Sequence, residues 1–404
     1  MSKIPSPNES IRDTLPVELL LQIFDSLPLS DIAKFRLLSK EVKAIVDDYF
    51  TRQLKIKEIA CGQDHSLILL EKGRVLAMGS NEEGQLGLSD KTNHFVAKEI
   101  VNIEPIEHLS AGFSHTLMLS KNNTLWAMGS NADKQLSFAN QGSKQVELQQ
   151  FSTTRGIQAA IAVDFTSAYI DTDQVIHSCG HEGLKPHLIN GELKLLPDWV
   201  KFPASLKVAD IAVGKQHALL LTTEGEVYGI GSNEHGLLGL GSKITTCEDW
   251  TLLPINKARQ IKATSLGSLV LTTNNELMVT GTDSKGQFKQ SSSDFVTLAT
   301  DVKTFDANDF HTLYVNNADK LHALGSNDKG QLGIGKLNPD GQPESALLLA
   351  VGDQATTEPP AAPQATSQTL SLYSMIFKSK KAPPKPTEEE LLDWDSEDSL
   401  SQSF

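Results

Sequence analysis

Cysteine is scarce: Cys61, Cys179 and Cys247 are the only three in 404 residues. Their odd number and wide spacing exclude a disulfide framework and a CxxC metal pair, which fits a reducing compartment. Positive charge is short as well, because 36 lysines and arginines stand against 50 aspartates and glutamates, a net charge of −14. That balance argues against nucleic acid as a partner, since affinity for phosphates comes from cations that release counterions. No apolar run approaches the roughly 20 residues that cross a bilayer, and the opening MSKIPSPNES lacks the basic start and apolar stretch of a secretory leader. Absent too are a nucleophile elbow, a Walker loop, an HExxH pair and a paired Cys/His ligand set. The expectation is a soluble chain with no transmembrane segment, no metal, no cofactor and no classical catalytic site, whose partners are proteins.

Repetition is what the chain has in excess. "HSLILLEKGRVLAMGSN", "HTLMLSKNNTLWAMGSN" and "HALLLTTEGEVYGIGSN" are nearly one phrase. Its Gly-Ser-Asn element stands at Gly79, Gly129, Gly231 and Gly325, with weaker copies at Gly180 and Gly281, so the steps are 50, 51, 51, 50 and 44 residues. Each unit holds short apolar runs bounded by turn pairs such as Lys72-Gly73, Asn122-Asn123, Glu224-Gly225 and Asn274-Asn275, the pattern of hairpin strands. One sheet of about 50 residues cannot bury both faces, and radial stacking into a propeller solves the problem. The six glycines suit sharp turns at positive φ, and Leu86, Leu136, Leu238 and Leu332 return an apolar anchor to the core. His65, His115, His217 and His311 recur at one position, with Ser167 and Gly267 there in the weaker units. Equivalent positions on different blades do not converge on one ion, so a structural hydrogen-bonding role is expected of them.

"CGQDHSLILLEKGRVLAMGSNEEGQLGL" and "VGKQHALLLTTEGEVYGIGSNEHGLLGLG" resemble repeats of the regulator of chromosome condensation (RCC1) family. The resemblance implies a mainly β fold, a propeller over residues 56–350. It would have six blades, or seven if Ser345–Val351 supplies a completing strand, and its third unit, which loses the Gln-Leu-Gly ending, would be irregular. It also implies Ran GTPase or a Ran regulator as partner. In the family, direct nucleotide exchange on Ran uses a wedge-like hairpin, and the even steps leave no obvious insertion for one.

Residues 14–48 change from strand period to helix period. Thr14 or Asp13 can cap a first helix, Pro16 suits its first turn, Leu19, Ile23 and Leu27 follow at spacings of four, and Pro28 stops it. Ser30-Asp31 reads as a fresh cap, after which Ile32, Phe35, Leu38, Val42 and Val46 continue the stripe. The order LPxELLxxIFxxLPLxDIxxxRLLSK resembles the F-box, placed at residues 13–50 behind a flexible 1–12. The resemblance implies docking to Skp1 of a cullin ubiquitin ligase through Leu15, Pro16, Leu19, Ile23, Phe24, Leu27, Pro28, Leu37 and Leu38. Glu41-Val42 depart from it where an aromatic often follows the Ser-Lys pair. A helical cap docked on the propeller is the plainer reading.

From about Gly352 the chain turns to clustered proline and then to acid, the composition of a disordered tail. Its middle joins Leu370–Phe377 to Lys378, Lys380 and Lys381, which suits a membrane surface or a partner. "EEELLDWDSEDSLSQS" resembles the export signals of type IV secreted bacterial effectors, with Glu388, Glu389 and Glu390 as its acidic block. The combined expectation is a monomeric effector acting in a host cytoplasm. A eukaryotic F-box receptor and a direct Ran exchange factor are the alternatives.

Overall fold

The computed structural model describes residues 17–137, 145–151, 156–181, 184–200, 202–203 and 206–334. The readings on Leu15, Pro16, residues 345–351, the tail and Glu388, Glu389 and Glu390 lie outside the described residues.

Every repeat forms an antiparallel sheet, in chain order from the first strand outward. Blade one is β1 (Ile56–Cys61), β2 (His65–Leu70), β3 (Val75–Gly79) and β4 (His94–Ile100). Blade two is β5 (Ile106–Ala111), β6 (His115–Ser120), β7 (Leu125–Ser130) and β8 (Gln145–Phe151). Blade three has β9 (Ile157–Val163), β10 (Thr166–Asp171) and β11 (Ile176–Gly180), and a separate hairpin follows, β12 (Leu184–Ile189) with β13 (Glu192–Pro197). Blade four is β14 (Val208–Val213), β15 (His217–Thr222), β16 (Val227–Ser232) and β17 (Thr246–Leu252). Blade five is β18 (Ala258–Ala263), β19 (Gly267–Thr272), β20 (Leu277–Gly281) and β21 (Ser292–Ala299), and blade six has β22 (Val302–Ala307), β23 (His311–Asn316) and β24 (Leu321–Gly325). First strands lie against first strands at every joint but the one between blades three and four, where β13 meets β9 and β12 meets β14, and β1 meets β22, so the propeller of six repeat blades closes.

The second strand of each blade is buried along essentially its whole length. Packed on both faces, it needs apolar residues at every position and not at alternate ones, which is why "HSLILL" and "HALLLT" carry no alternation. A register slip recurs at one place in all six units, between Ile56 and Glu58 in the first and between Val302 and Thr304 in the last. Such bulges bend a strand and increase its twist.

The even repeat steps conceal an insertion. The hairpin β12–β13 stands between blades three and four. Leu193 and Leu195 pack toward Ala168 of blade three, while Ile189 and Leu196 pack toward Ile211 and Leu220 of blade four. Its turn is tied down, for Asn190 Nδ2 donates to the carbonyls of Val208 at 2.9 Å and Ala209 at 3.1 Å. Lys194 Nζ bridges to Asp210 at 2.7 Å. The irregular third unit thus keeps blade length in sequence by giving up its outer strand and adding a two-stranded filler.

Ahead of the ring come helices α1 (Val17–Ser26), α2 (Leu29–Lys34) and α3 (Lys40–Gln53), with a 3-10 turn at Phe35–Leu37. The buried face of α1 is Leu20 and Phe24, continued by Leu27, whereas Leu19 points outward. Spacings of four from Leu19 thus join an exposed Leu19, a half-buried Ile23 and a buried Leu27. Pro28, and not Ser30-Asp31, is the N-cap of α2. The stripe from Ile32 to Val46 is broken in two, because Ser39 caps α3 by accepting from Val42 N at 3.2 Å. Phe24 meets Phe35 and Tyr49 edge to face, each at 5.3 Å between centroids.

Blade one caps these helices. Arg74 donates from Nη2 to the carbonyls of Phe24 at 3.2 Å and Asp25 at 3.3 Å in the last turn of α1, where Phe24 O also accepts Leu27 N. Glu99 Oε2 accepts Leu29 N at 2.6 Å, one of the donors left over at the start of α2, and Glu99 Oε1 lies 3.2 Å from Arg74 Nη1. Burial pushes the Glu99 carboxyl above its ordinary value, against the pull of that amide and of Arg74. Only Leu54 and Lys55 separate α3 from β1. No described helix is long and apolar enough to cross a membrane.

Candidate interaction site

The recurring glycines and histidines build one inter-blade frame. Gly79, Gly129, Gly180, Gly231, Gly281 and Gly325 all have φ between 98° and 114°. A Cβ there would strike the backbone carbonyl oxygen of the residue before the histidine position, such as Ser114 O for Gly129. The Asn of Gly-Ser-Asn closes the following turn, as Asn81 Oδ1 accepts Leu86 N at 3.0 Å and Asn233 Oδ1 accepts Leu238 N at 2.8 Å. Leu86, Leu136, Leu238 and Leu332 are buried.

Each histidine reaches the next blade. Nε2 of His65 lies 3.0 Å from Thr116 Oγ1, His115 2.9 Å from Ser167 Oγ, His217 2.9 Å from Ser268 Oγ and His311 2.8 Å from Ser66 Oγ. Three of these hydroxyls spend their own hydrogen on a carbonyl, Thr116 on Gln85 O, Ser66 on Gln331 O and Ser268 on Leu237 O. In His65, His311 and His217 the ring proton must therefore sit on Nε2, which donates. His311 Nδ1 accepts from Asn308 Nδ2 at 2.9 Å. Burial holds the rings of His65, His115 and His311 down to about 3 and that of His217 to about 4, so all four are neutral.

The register corrects one assignment. Thr166, paired with Gly180, holds the histidine position of unit three, and Ser167 is the hydroxyl that receives His115. Blade three thus has no histidine to offer, and blade four has Ala218 where the hydroxyl would be, with the hairpin standing between them. In blade five Gly267 stands at the histidine position and Phe288 at that of the anchoring leucine, and a Cβ on Gly267 would strike the carbonyl oxygen of Thr280 and the Phe288 ring. The hydroxyl of Thr312 in blade six is consequently buried without a partner.

No group of three or more metal-ligating side chains lies together among the described residues. The hydroxyl-rich hollow between blades four and five, lined by His235, Ser242, Thr245, Thr282 and Ser291 among others, has a volume near 720 Å³ and opens widely to solvent. Surface chemistry is instead concentrated in uncovered apolar side chains. On the helices Leu37 is 81% exposed and Leu19 45%, beside half-buried Ile23, Pro28 and Leu38. Phe24 and Leu27 are buried within the helices and hold them together.

An F-box domain profile matches residues 13–51, and profiles of the regulator of chromosome condensation (RCC1) repeat match 56–85, 72–119, 106–135 and 208–237. The chain carries an F-box and RCC1 repeats. The RCC1 matches fall on units one, two and four, which keep both histidine and Gly-Ser-Asn. The chain is 28% identical over 247 residues to the ultraviolet-B receptor UVR8 of Arabidopsis thaliana, covering 58% of this chain and 54% of that protein. It is 38% identical over 204 residues to the X-linked retinitis pigmentosa GTPase regulator of Canis lupus familiaris, covering 49% and 20%. To the probable E3 ubiquitin-protein ligase HERC4 of Rattus norvegicus it is 30% identical over 312 residues, covering 71% and 29%. The chain spans about half the length of the plant receptor, 54%, and far less of the other two. An F-box on an RCC1 propeller is an arrangement for protein interaction.

Proposed function

We propose that this chain is an adaptor: its F-box docks Skp1 of a cullin ubiquitin ligase, and its propeller holds Ran GTPase or a Ran regulator and promotes Ran activation. The observation that carries the first half is the exposure of Leu19 and Leu37, with Ile23 and Leu38 half-buried, on helices whose other face buries Leu20, Phe24 and Ile32. Exposed apolar side chains of this kind serve as interface anchors. The second half is supported by relatives named as GTPase regulators. The hairpin β12–β13 favours a binder over an exchange factor, because its turn is bonded to β14 and does not project as a wedge. Without differential affinity for the empty GTPase a bound surface leaves exchange unchanged.

Purified full chain should capture Skp1, and the double substitution Leu19→Asp with Leu37→Asp should weaken capture at least about thirtyfold, the loss of about 2 kcal/mol expected of interface anchors. Undiminished capture with the double variant sinks the docking half. The chain should also capture Ran or a Ran regulator without speeding nucleotide release from purified Ran. Fast release makes it an exchange factor, and no association removes the Ran assignment. The proposed setting is a host cytoplasm reached by a bacterial type IV system, motivated by the acidic run at Glu388, Glu389 and Glu390. Unchanged export after removal of the last 20 residues would exclude that route.

A further inference from the structure

We propose that the outer edge of blade three, β11, is a socket for an extended strand supplied by a partner protein. Blades one, two, four and five each complete themselves with a fourth strand along this edge, and among the described residues no strand pairs β11 there. Exposure agrees. The third strands of the other five blades bury their first residue, Val75, Leu125, Val227, Leu277 and Leu321, while no residue of β11 is fully buried and Ser178 is exposed.

The backbone is aimed for pairing. Asp171 N donates to Val175 O and His181 N to Phe165 O, both at 3.0 Å. With the register Ile170 to Ile176 and Ala168 to Ser178, these bonds turn Val175, His177 and Cys179 toward β10 and present the N–H and C=O of Ile176 and Ser178 outward. Val227 holds the place of Ile176 in blade four, and its carbonyl accepts Leu253 N of the outer segment at 2.9 Å. Unpaired edge groups of this kind accept an added strand through main-chain hydrogen bonds, and side-chain pockets select it.

The intact blades also define the occupant. Ile100 pairs with Val75, Phe151 with Leu125, and Leu253 packs beside Val227, so a large apolar residue lies opposite the Ile176 position in blades one, two and four, while blade five sets Ala299 opposite Leu277. The partner segment is therefore extended, antiparallel to β11, with a large apolar side chain opposite Ile176. This inference rests on the reading of the propeller as a partner-holding module.

The test uses the full chain and a fluorescent peptide copying residues 94–101, HFVAKEIV. The peptide should bind and slow hydrogen exchange at the amides of Ile176 and Ser178. Ser178→Pro removes one outward N–H at a place where proline is tolerated. It should bind the peptide about tenfold more weakly, the worth of one lost hydrogen bond, at an unchanged melting temperature. If the proline variant does not fold, a peptide with aspartate in place of its isoleucine serves on the wild type and should lose binding. Equal binding by folded Ser178→Pro, protection at other amides, or equal binding of the aspartate peptide overturns the proposal, as does self-association of the chain that Ser178→Pro abolishes, which would make the occupant a second copy. Failure to capture Ran while the peptide still docks counts against the adaptor reading alone.

Discussion

Lowering the pH from 7 to 5 is expected to remove most of the stability of this protein. His65, His115 and His311 take up a proton only near pH 3 when folded, and His217 near pH 4, because burial opposes the charge. Unfolded, each titrates at about 6.5. Between these values the unfolded chain binds more protons, so stability falls as pH falls, by about 1.4 kcal/mol per pH unit for each ring. At pH 5 the four together cost on the order of 8 kcal/mol, comparable to the roughly 5–15 kcal/mol that holds a domain folded. Most carboxylates act lower, near pH 4 and below, while Asp64, Glu99 and Asp164, whose carboxyls burial pushes up, act with the opposite sign because they take up a proton more readily folded than unfolded. Urea midpoints measured from pH 7 to 5 should drop steeply, and His217→Gln should flatten the slope by about one proton in four. A midpoint that does not move in this range would show that the rings titrate normally and are not sealed between blades.

Gly129→Ala is expected to cost about 3 kcal/mol or more, since the new Cβ combines positive-φ strain with a collision against the carbonyl of Ser114. Gly191→Ala is the control. Its φ is +82°, yet a Cβ there meets nothing within 4 Å, so it should cost about 1 kcal/mol, the strain alone. Equal urea midpoints for the two variants would mean that the Gly-Ser-Asn turn is held by its φ angle and not by the closeness of the neighbouring strand.

The repeats are legible in sequence because every strong unit obeys the same local demands: glycine beside a carbonyl, asparagine closing the turn, leucine in the core. The partner of each histidine is not legible by spacing alone. His65 finds Thr116, 51 residues away, and only the ring arrangement brings them together. The assignment of Ser167 fails for a related reason, since one residue along a strand exchanges donor for acceptor. Once the frame is known, Gly267 and Phe288 read as compensating changes, a signal that was present in the paired departures from histidine and leucine. The hairpin β12–β13 escaped detection because a lost outer strand and an added filler left the repeat step unchanged. On the helices, periodicity finds the apolar residues but cannot tell Leu19 from Leu20, and the pair by which blade one caps the helices, Arg74 with Glu99, carries no local sign at all.

Closure between blades six and one has a consequence for the order in which the molecule forms. Cys61 N donates to Asp306 Oδ2 at 2.8 Å and His311 reaches Ser66, each across 245 residues, whereas ordinary neighbouring blades meet across about 51, as His65 and Thr116 do. Bringing together the more distant pair costs about 1.4 kcal/mol more in chain entropy. Blade one must also wait during synthesis, because the carbonyl of Gln331 that receives the hydroxyl of Ser66 is made last among these groups. The joint between blades six and one is therefore the expected last step of folding, and the inner edge of blade one stays available to chaperones until residue 331 has left the ribosome.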